Sequence, residues 1–284
     1  MPELPEVETV CRGLAPVLEG RVLTRVEQRI DALRWPLPKD FARRIEGNRV
    51  TKVARRAKYI LIHLDGGPGV GPGGGEVIIA HLGMSGRMTI HAGEAPSPQR
   101  HDHIVFHTDD DHHIVFNDAR RFGMMDLVGS DALDRHPLLA KLGAEPLGNE
   151  FNGRALAAML KGKRTPIKAA LLDQSLIAGI GNIYACEILY RARLSPKRMA
   201  YTVAGARVER VASAVRSVLT EAIEAGGSSL RDYVQTSGEL GYFQHHFAVY
   251  DHEGEPCPGC DCDGAIRRIV QSGRSSFYCP RRQR

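Results

Sequence analysis

A chain of 284 residues can bury one good core and more readily two, since domains usually run to about 100–200 residues. With 43% hydrophobic and 25% charged residues it has an ordinary globular composition, and no stretch approaches the roughly 18 consecutive apolar residues of a membrane span, so a soluble protein with no membrane partner is expected. Net charge is +5, but the basic residues gather in clusters: Arg55, Arg56 and Lys58; Arg120 and Arg121; Lys161, Lys163 and Arg164; Arg267, Arg268, Arg274, Arg281, Arg282 and Arg284. Each cluster alone also describes a solvated face; together they suit a polyanion such as nucleic acid.

The chain opens MPELPEVETV, acidic and proline-bearing where a secretory leader is basic and then apolar, so this start is read as part of the folded protein. Residues 7–18 carry apolar side chains at helical spacing. Short β-type runs follow, RVLTRVEQRI, YILIHL, EVIIAHL, GRMTIHA, HDHIVFHT, HHIVFND and GMMDLVG, and many short strands at this spacing predict a sandwich or barrel. Residues 65–75, DGGPGVGPGGG, read as a hairpin loop; a phosphate cradle is disfavoured because no Lys-Ser/Thr follows the glycines. HDH at 101–103 and DDDHH at 109–113 offer metal-type ligands, yet Asp and His also crowd hairpin turns, and DDD fits a turn between its flanking strands.

From about residue 151 the period becomes helical, in NGRALAAMLKGK, PIKAALLDQ, IYACEILYRARL and ARVERVASAVRSVLTEAIEAGG. GIGNIY sets Gly179 and Gly181 just before a helix, a turn that lets backbone N–H groups approach an anion. Of six cysteines, Cys11 and Cys186 are isolated within helical patterns and are read as small buried hydrophobes. The other four lie in the last 28 residues, and a reducing compartment makes a metal a better expectation for them than disulfides. The domain order is then 1–145 β-rich, 146–248 helical and 249–284 a cysteine-bearing hairpin.

Why the start is acidic has two answers. As a cap, proline fixes the chain's entry and the carboxylates complement the helix dipole. As chemistry, removal of Met1 leaves Pro2 with a secondary amine that can attack an aldehyde-like sugar carbon to give an iminium, with Glu3 moving protons and Glu6 within reach of the same pocket.

Seven motifs decide between them. PELPEVE at the start, RRAKY at 55–59, HLGMSG at 81–86, HDH at 101–103, DARRFG at 118–123, GIGNIYACE at 179–187 and GRSSFYCP at 273–280 resemble, in order and from end to end, the bacterial formamidopyrimidine-DNA glycosylases. PELPEVE favours the purine-repair branch over the sister branch that excises oxidised pyrimidines. The resemblance implies a multidomain α+β fold: an N-terminal β-sandwich carrying an N-terminal helix, then a helix-two-turn-helix domain ending in a zinc-finger-type β-hairpin. It implies a bifunctional glycosylase and abasic-site lyase, acting as a monomer in the bacterial cytoplasm on double-stranded DNA with damaged bases.

Residue by residue, the resemblance makes Pro2 the nucleophile at C1′ of the damaged nucleotide and Glu3 the acid/base. Lys58 matches a lysine that contacts phosphate and assists β-elimination; Arg274 matches an arginine that clamps phosphates and is assigned to δ-elimination. Met84, Arg120 and Phe122 match the trio that fills the hole left by an everted nucleotide, although Met84 and Phe122 read equally as core residues by type. His101, Arg164 and Asn182 match DNA-contacting positions, Glu6 is counted with them, and VQTSGELGYFQ at 234–244 resembles a loop that closes on the flipped purine. Arg164 stands where a lysine is common.

The pattern breaks at the hairpin. The family's structural zinc site has four cysteines as C-x2-C-x16-C-x2-C, but here Arg282 occupies the fourth position, and arginine stays protonated and cannot ligate zinc. Three arrangements stay open: zinc on Cys257, Cys260, Cys262 and Cys279; three cysteines with His252 or water; or a metal-free hairpin held by packing. A non-catalytic damaged-DNA-binding homologue, the pyrimidine-directed sister enzyme and a zinc-dependent nuclease are the competing functions.

Overall fold

Glu3 starts the first helix. In the computed structural model, which describes residues 1–67, 74–228, 236, 241–260 and 265–284, α1 spans Leu4–Leu18, and Glu3 and Glu6 cap it reciprocally. The Glu6 carboxylate accepts from the Glu3 N–H at 2.8 Å, so two donors a helix start would leave orphaned are satisfied. Val7, Val10, Cys11, Leu14 and Leu18 are buried on one face, the helical spacing read from the sequence.

Two compact units divide the chain, Met1–Ala140 with Ala225–Tyr242, and Lys141–Glu224 with Phe243–Arg284. Among the described residues the first holds eight strands: β1 (Leu23–Gln28), β2 (Val50–Arg56), β3 (Tyr59–Leu64), β4 (Glu76–His81), β5 (Arg87–Ala92), β6 (Asp102–Thr108), β7 (His112–Asn117) and β8 (Met124–Gly129), with a short α2 at Phe41–Ile45. They form two four-stranded antiparallel sheets, ordered β1-β6-β7-β5 and β2-β3-β4-β8. One core cluster draws Leu14 from α1, Ile60, Ile62, Ile78 and Leu127 from one sheet, and Phe106, Ile114 and Phe116 from the other. This is the expected β-sandwich with its N-terminal helix.

β2 and α2 went unread in the sequence. VTKVARR buries only Val50 and Val53 and is an edge strand, where charge is tolerated because one side of the ladder has no partner. β3 and β4 pair in register on either side of the glycine-rich stretch, the hairpin arrangement read there; residues 68–73 lie outside the described ones. The DDD turn joins β6 to β7, with Asp111 at φ +57°.

The second unit holds α3 (Gly153–Leu160), α4 (Ile167–Leu172), α5 (Asn182–Arg191), α6 (Ala206–Glu224) and the hairpin β9 (Arg267–Gln271) with β10 (Arg274–Tyr278). Asn152 caps α3 by accepting from the Ala155 N–H at 3.0 Å. Val208, Val211, Val215, Leu219 and Ala222 line one buried face of α6, as their spacing predicts. The hairpin packs with α5: Cys186 and Tyr190 share a core cluster with Val249, Cys257, Ile266, Phe277 and Cys279. Among the described residues no helix is long and apolar enough to cross a membrane.

Candidate active site and nucleic-acid interface

In the first unit the start of α1 is buried. Pro2 is buried, Glu3 is 3% exposed and Glu6 2%. Glu6 accepts from the Glu3 N–H with one oxygen, and with the other from the N–H of Ser228 at 2.8 Å and its hydroxyl at 3.0 Å. Glu6 therefore anchors the Gly227–Ser228 segment to the helix start from a buried position; its place next to the nucleophile candidate is positional rather than a surface contact. Glu3 serves as cap and stands beside Pro2, so the cap and chemical readings of the acidic start are compatible.

Arg55 donates to Glu8 of α1 at 2.9 Å, and the Cys11 thiol reaches the Ala54 carbonyl at 3.4 Å, which draws the β2–β3 turn to the first turns of α1. Lys58 sits in that turn after Ala57, at φ +53°, and is 7% exposed. His81 ends β4 across from Tyr59, their rings 5.1 Å apart. Burial first, then the charges of Lys58 and Arg34, bring the His81 imidazole down to about 4, and its Nδ1 accepts from the Gly83 N–H at 2.9 Å. His81 is thus neutral near pH 7 and protonated on Nε2. Sequence reading quoted its HLGMSG motif without singling it out; a histidine one register step from a buried lysine was the available signal.

The wedge candidates stand on the surface of this unit. Met84 is 39% exposed and Phe122 44%, so neither is a core residue, and the Arg120 guanidinium lies 5.0 Å above the Phe122 ring. Their two loops are held by Asp118, fully buried, which accepts from the Ser85 hydroxyl at 2.5 Å and the Gly123 N–H at 2.7 Å. Gly83, at φ +64°, lies so close to Phe122 that a Cβ would stand 2.3 Å from its carbonyl carbon; only glycine lets the loop before Met84 approach the Phe122–Gly123 backbone this closely. His101 takes φ +77°, its carbonyl accepting from the Asp118 N–H at 3.1 Å. Of VQTSGELGYFQ, residues 234, 235 and 237–240 lie outside the described ones.

In the second unit, Gln174 staples the GIGN turn: its amide donates to the Ile180 carbonyl at 2.8 Å and its oxygen accepts from the Gly179 N–H at 2.8 Å. Asn182 opens α5, donating to the Ser275 carbonyl at 3.0 Å and accepting from Lys168 at 2.7 Å. Lys168, 1% exposed, also donates to the Ser275 carbonyl and the Ser276 hydroxyl at 2.7 Å each, so a buried cation joins the Asn182 turn to the strand that starts at Arg274. A lysine set among the apolar residues of PIKAALL was the clue to it. Ser272 and Gly273 both have positive φ, the pair a type I′ hairpin requires, and this places Arg274 at the first strand position after the tip. Arg274 and Arg164 are exposed, and among the described residues neither forms an ion pair. A cavity of about 290 Å³ beside the tip is lined by Lys168, Asp173, Gln271, Ser272 and Arg274.

The thiols of Cys257, Cys260 and Cys279 lie within 4.8 Å of one another, with Cys260 and Cys279 3.6 Å apart. Zinc–thiolate bonds of about 2.3 Å in a tetrahedron place sulfurs roughly 3.8 Å apart, so this donor set fits zinc. Burial pushes the Cys257 thiol up, but the Gly259 N–H, the Tyr190 hydroxyl and the neighbouring thiols outweigh it and bring it down to about 7. Cys262 lies outside the described residues. Of the open arrangements the one with His252 loses ground: His252 is not in the group, its Nδ1 facing Glu255 at 2.6 Å. Arg282 points its guanidinium over the Tyr190 ring at 4.9 Å while donating to the Gly259 carbonyl. The Arg282 N–H donates to the Cys279 sulfur at 3.3 Å. Cys11 and Cys186 are buried thiols pushed up to about 12 and 11, chiefly by burial, as expected for inert hydrophobes.

Comparison with known proteins matches both halves of this arrangement. Residues 1–125 match the formamidopyrimidine-DNA glycosylase N-terminal domain and residues 142–234 its H2TH domain. The chain is 59% identical to the formamidopyrimidine-DNA glycosylase of Rhodospirillum centenum and 55% identical to that of Ruegeria pomeroyi, in each case over the whole of both chains. Its structure resembles the crystal structure of the MutM (Fpg) protein of Thermus thermophilus, 40% identical, with a TM-score of 0.84 over 99% of this chain and 98% of that one. It also resembles Lactococcus lactis Fpg in complex with abasic-site DNA, 29% identical, with a TM-score of 0.86 over 99% of both chains. With a family model matched over each half and full-length relatives more than half identical, the chain belongs to the formamidopyrimidine-DNA glycosylase family.

Proposed function

We propose that this chain is a bifunctional DNA glycosylase and abasic-site lyase of base excision repair. It removes oxidised purines, 8-oxoguanine and formamidopyrimidines, from duplex DNA and then cuts the strand by β- and δ-elimination. The observation that carries this reading is the buried start of α1, where Pro2 precedes two capping carboxylates, Glu3 and Glu6.

With Met1 removed, Pro2 is a secondary amine, and α-amino groups titrate near about 7.7–8, so an unprotonated fraction exists at neutral pH. The nitrogen lone pair attacks C1′ and the amine gives up its proton; the bond from C1′ to the base breaks, and the base leaves with a proton. The C1′–O4′ bond then breaks as the nitrogen lone pair forms C=N, O4′ taking a proton from Glu3, and the sugar opens. The resulting iminium draws electrons when the C2′ proton is removed and the C3′–O bond breaks, releasing one phosphate. Removal of the C4′ proton then expels the other phosphate from C5′. Lys58 and Arg274 hold the phosphates that leave. Met84 and Phe122 occupy the vacated stack, Arg120 faces the orphaned base, and His101, Arg164 and Asn182 hold the backbone.

One structural zinc on Cys257, Cys260, Cys262 and Cys279 would supply folding energy to the hairpin that carries Arg274. The protein acts as a monomer in the bacterial cytoplasm, at the nucleoid. Intact Pro2, Glu3, Lys58 and Arg274 favour an enzyme over a non-catalytic DNA-binding homologue.

Borohydride trapping tests the reading, using a duplex with one 8-oxoguanine opposite cytosine. Wild type forms a covalent protein–DNA band, which Pro2→Gly weakens, and Glu3→Gln slows base release by about 100-fold or more. Binding without trapping or cutting refutes the activity on that lesion; a parallel thymine-glycol duplex separates the pyrimidine-directed alternative.

A further inference from the structure

Arg34 and Trp35 lie on the loop between β1 and α2, a stretch no motif above includes. Buried Leu33 and Leu37 pin that loop to the core on either side, so the two exposed residues between them are presented on a fixed base. Trp35 is the chain's sole tryptophan and is 47% exposed. The Arg34 guanidinium lies 5.2 Å over its ring, and among the described residues Arg34 forms no ion pair. Arg12, Arg21, Arg29, Arg43, Arg44 and Arg55 of this unit each meet a carboxylate, whereas Arg34, like Arg120, meets none among the described residues.

Two links place this pair beside the site. The Arg34 N–H donates to the Gly123 carbonyl at 3.0 Å, next to the wedge residue Phe122. The charge of Arg34 also reaches Tyr59 and His81, acting with Lys58 on the latter. Arg34 is therefore tied to the loop that carries Phe122 and lies near enough to His81 and Tyr59 to act on both, and with Trp35 it forms a second arginine–aromatic stack of the unit besides Arg120 and Phe122. An exposed ring under an exposed guanidinium that meets no carboxylate matches a sugar–phosphate segment, which offers an anion to the arginine and an apolar face to the ring.

We infer that Arg34 and Trp35 form a further DNA-binding subsite, in which Arg34 takes a backbone phosphate and Trp35 packs against the adjoining sugar or base on the wedge side of the lesion. The inference rests on the proposed action on duplex DNA.

The sole tryptophan makes the test direct. Intrinsic fluorescence is titrated with a duplex carrying a tetrahydrofuran abasic analogue, alongside anisotropy of the labelled duplex and borohydride trapping of the same wild-type sample on 8-oxoguanine DNA. The expected result is a tryptophan signal that saturates with the anisotropy curve. Arg34→Ala is expected to weaken binding about 5- to 20-fold at 0.1 M salt and to lower the salt slope by about one unit, as loss of one phosphate contact requires. Trp35→Ala is expected to weaken binding about 5-fold or more, with Trp35→Phe largely restoring it. Thermal melts of each variant identify any loss that comes from unfolding, and Trp35→Phe keeps the test open if Trp35→Ala does not fold. A wild type that traps and binds while its tryptophan signal stays flat, with the Arg34→Ala salt slope unchanged, overturns the subsite and leaves the activity standing. A wild type that neither binds nor traps refutes the activity on which the subsite rests.

Discussion

The Glu6 carboxylate accepts from both the backbone N–H and the hydroxyl of Ser228, 222 positions along the chain, while its second oxygen caps the helix that begins beside Pro2. One buried side chain thus ties the segment at 227–228 to the start that carries the nucleophile candidate. Gly227, at φ +79°, suits a close approach: a Cβ there would stand 3.1 Å from Glu6 Cγ and Oε1.

Replacing Glu6 by alanine leaves the Glu3 and Ser228 N–H groups without this acceptor, and an unsatisfied buried donor costs about 1–3 kcal/mol. Glu6→Ala is expected to lose about 2–3 kcal/mol of stability in urea denaturation. Glu6→Gln keeps the shape and one acceptor oxygen, and is expected to lose less than half as much. Equal losses for the two would show that the carboxylate's hydrogen bonds are not what the position needs.

His81 sets a pH dependence. Its folded value of about 4 lies below the ordinary 6.5, so between these values the unfolded chain binds more protons than the folded one. Its contribution is therefore complete above about pH 6.5 and is lost as pH falls towards 4, a drop of up to about 3 kcal/mol. Comparing the stability of wild type and His81→Gln from pH 7 to 4 checks this: the variant should show a shallower acid slope. Parallel slopes would remove His81 as the cause.

The hairpin predicts a zinc count. Native mass spectrometry is expected to find one zinc per chain, lost on Cys257→Ser or Cys279→Ser and on exposure to a strong chelator. Arg282→Cys supplies a thiol at the position the family fills with cysteine but removes the guanidinium from Tyr190 and Gly259, so it should hold zinc while losing hairpin packing. Wild type that is metal-free as isolated and does not take up added zinc would sink the zinc assignment.

Much of this was legible in the sequence because short-range chemistry determines it. Short β-type runs bounded by turn residues located seven of the eight described sandwich strands, several of them buried on consecutive positions, and helical spacing located the four described helices of the second unit. Motif order identified the family, and the Ser-Gly tip before Arg274 is a turn dictated by local backbone preference. β2 escaped because an edge strand with one buried flank tolerates arginine and lysine, which erases the alternation.

What only the tertiary structure decided are relationships between residues far apart in the chain. Nothing near Glu6 announces Ser228, and nothing near Lys168 announces Ser275, because a buried polar group is satisfied by whatever the fold brings to it. The depressed His81 value follows from burial beside two cations that meet it only in the folded chain. Met84 and Phe122 were ambiguous by type, and it took a glycine with no room for a Cβ to show that both are held outward rather than packed within. Local sequence determined the elements and their chemistry, whereas burial and partnership, which depend on the whole packed chain, decided which of those side chains are anchors and which face the solvent.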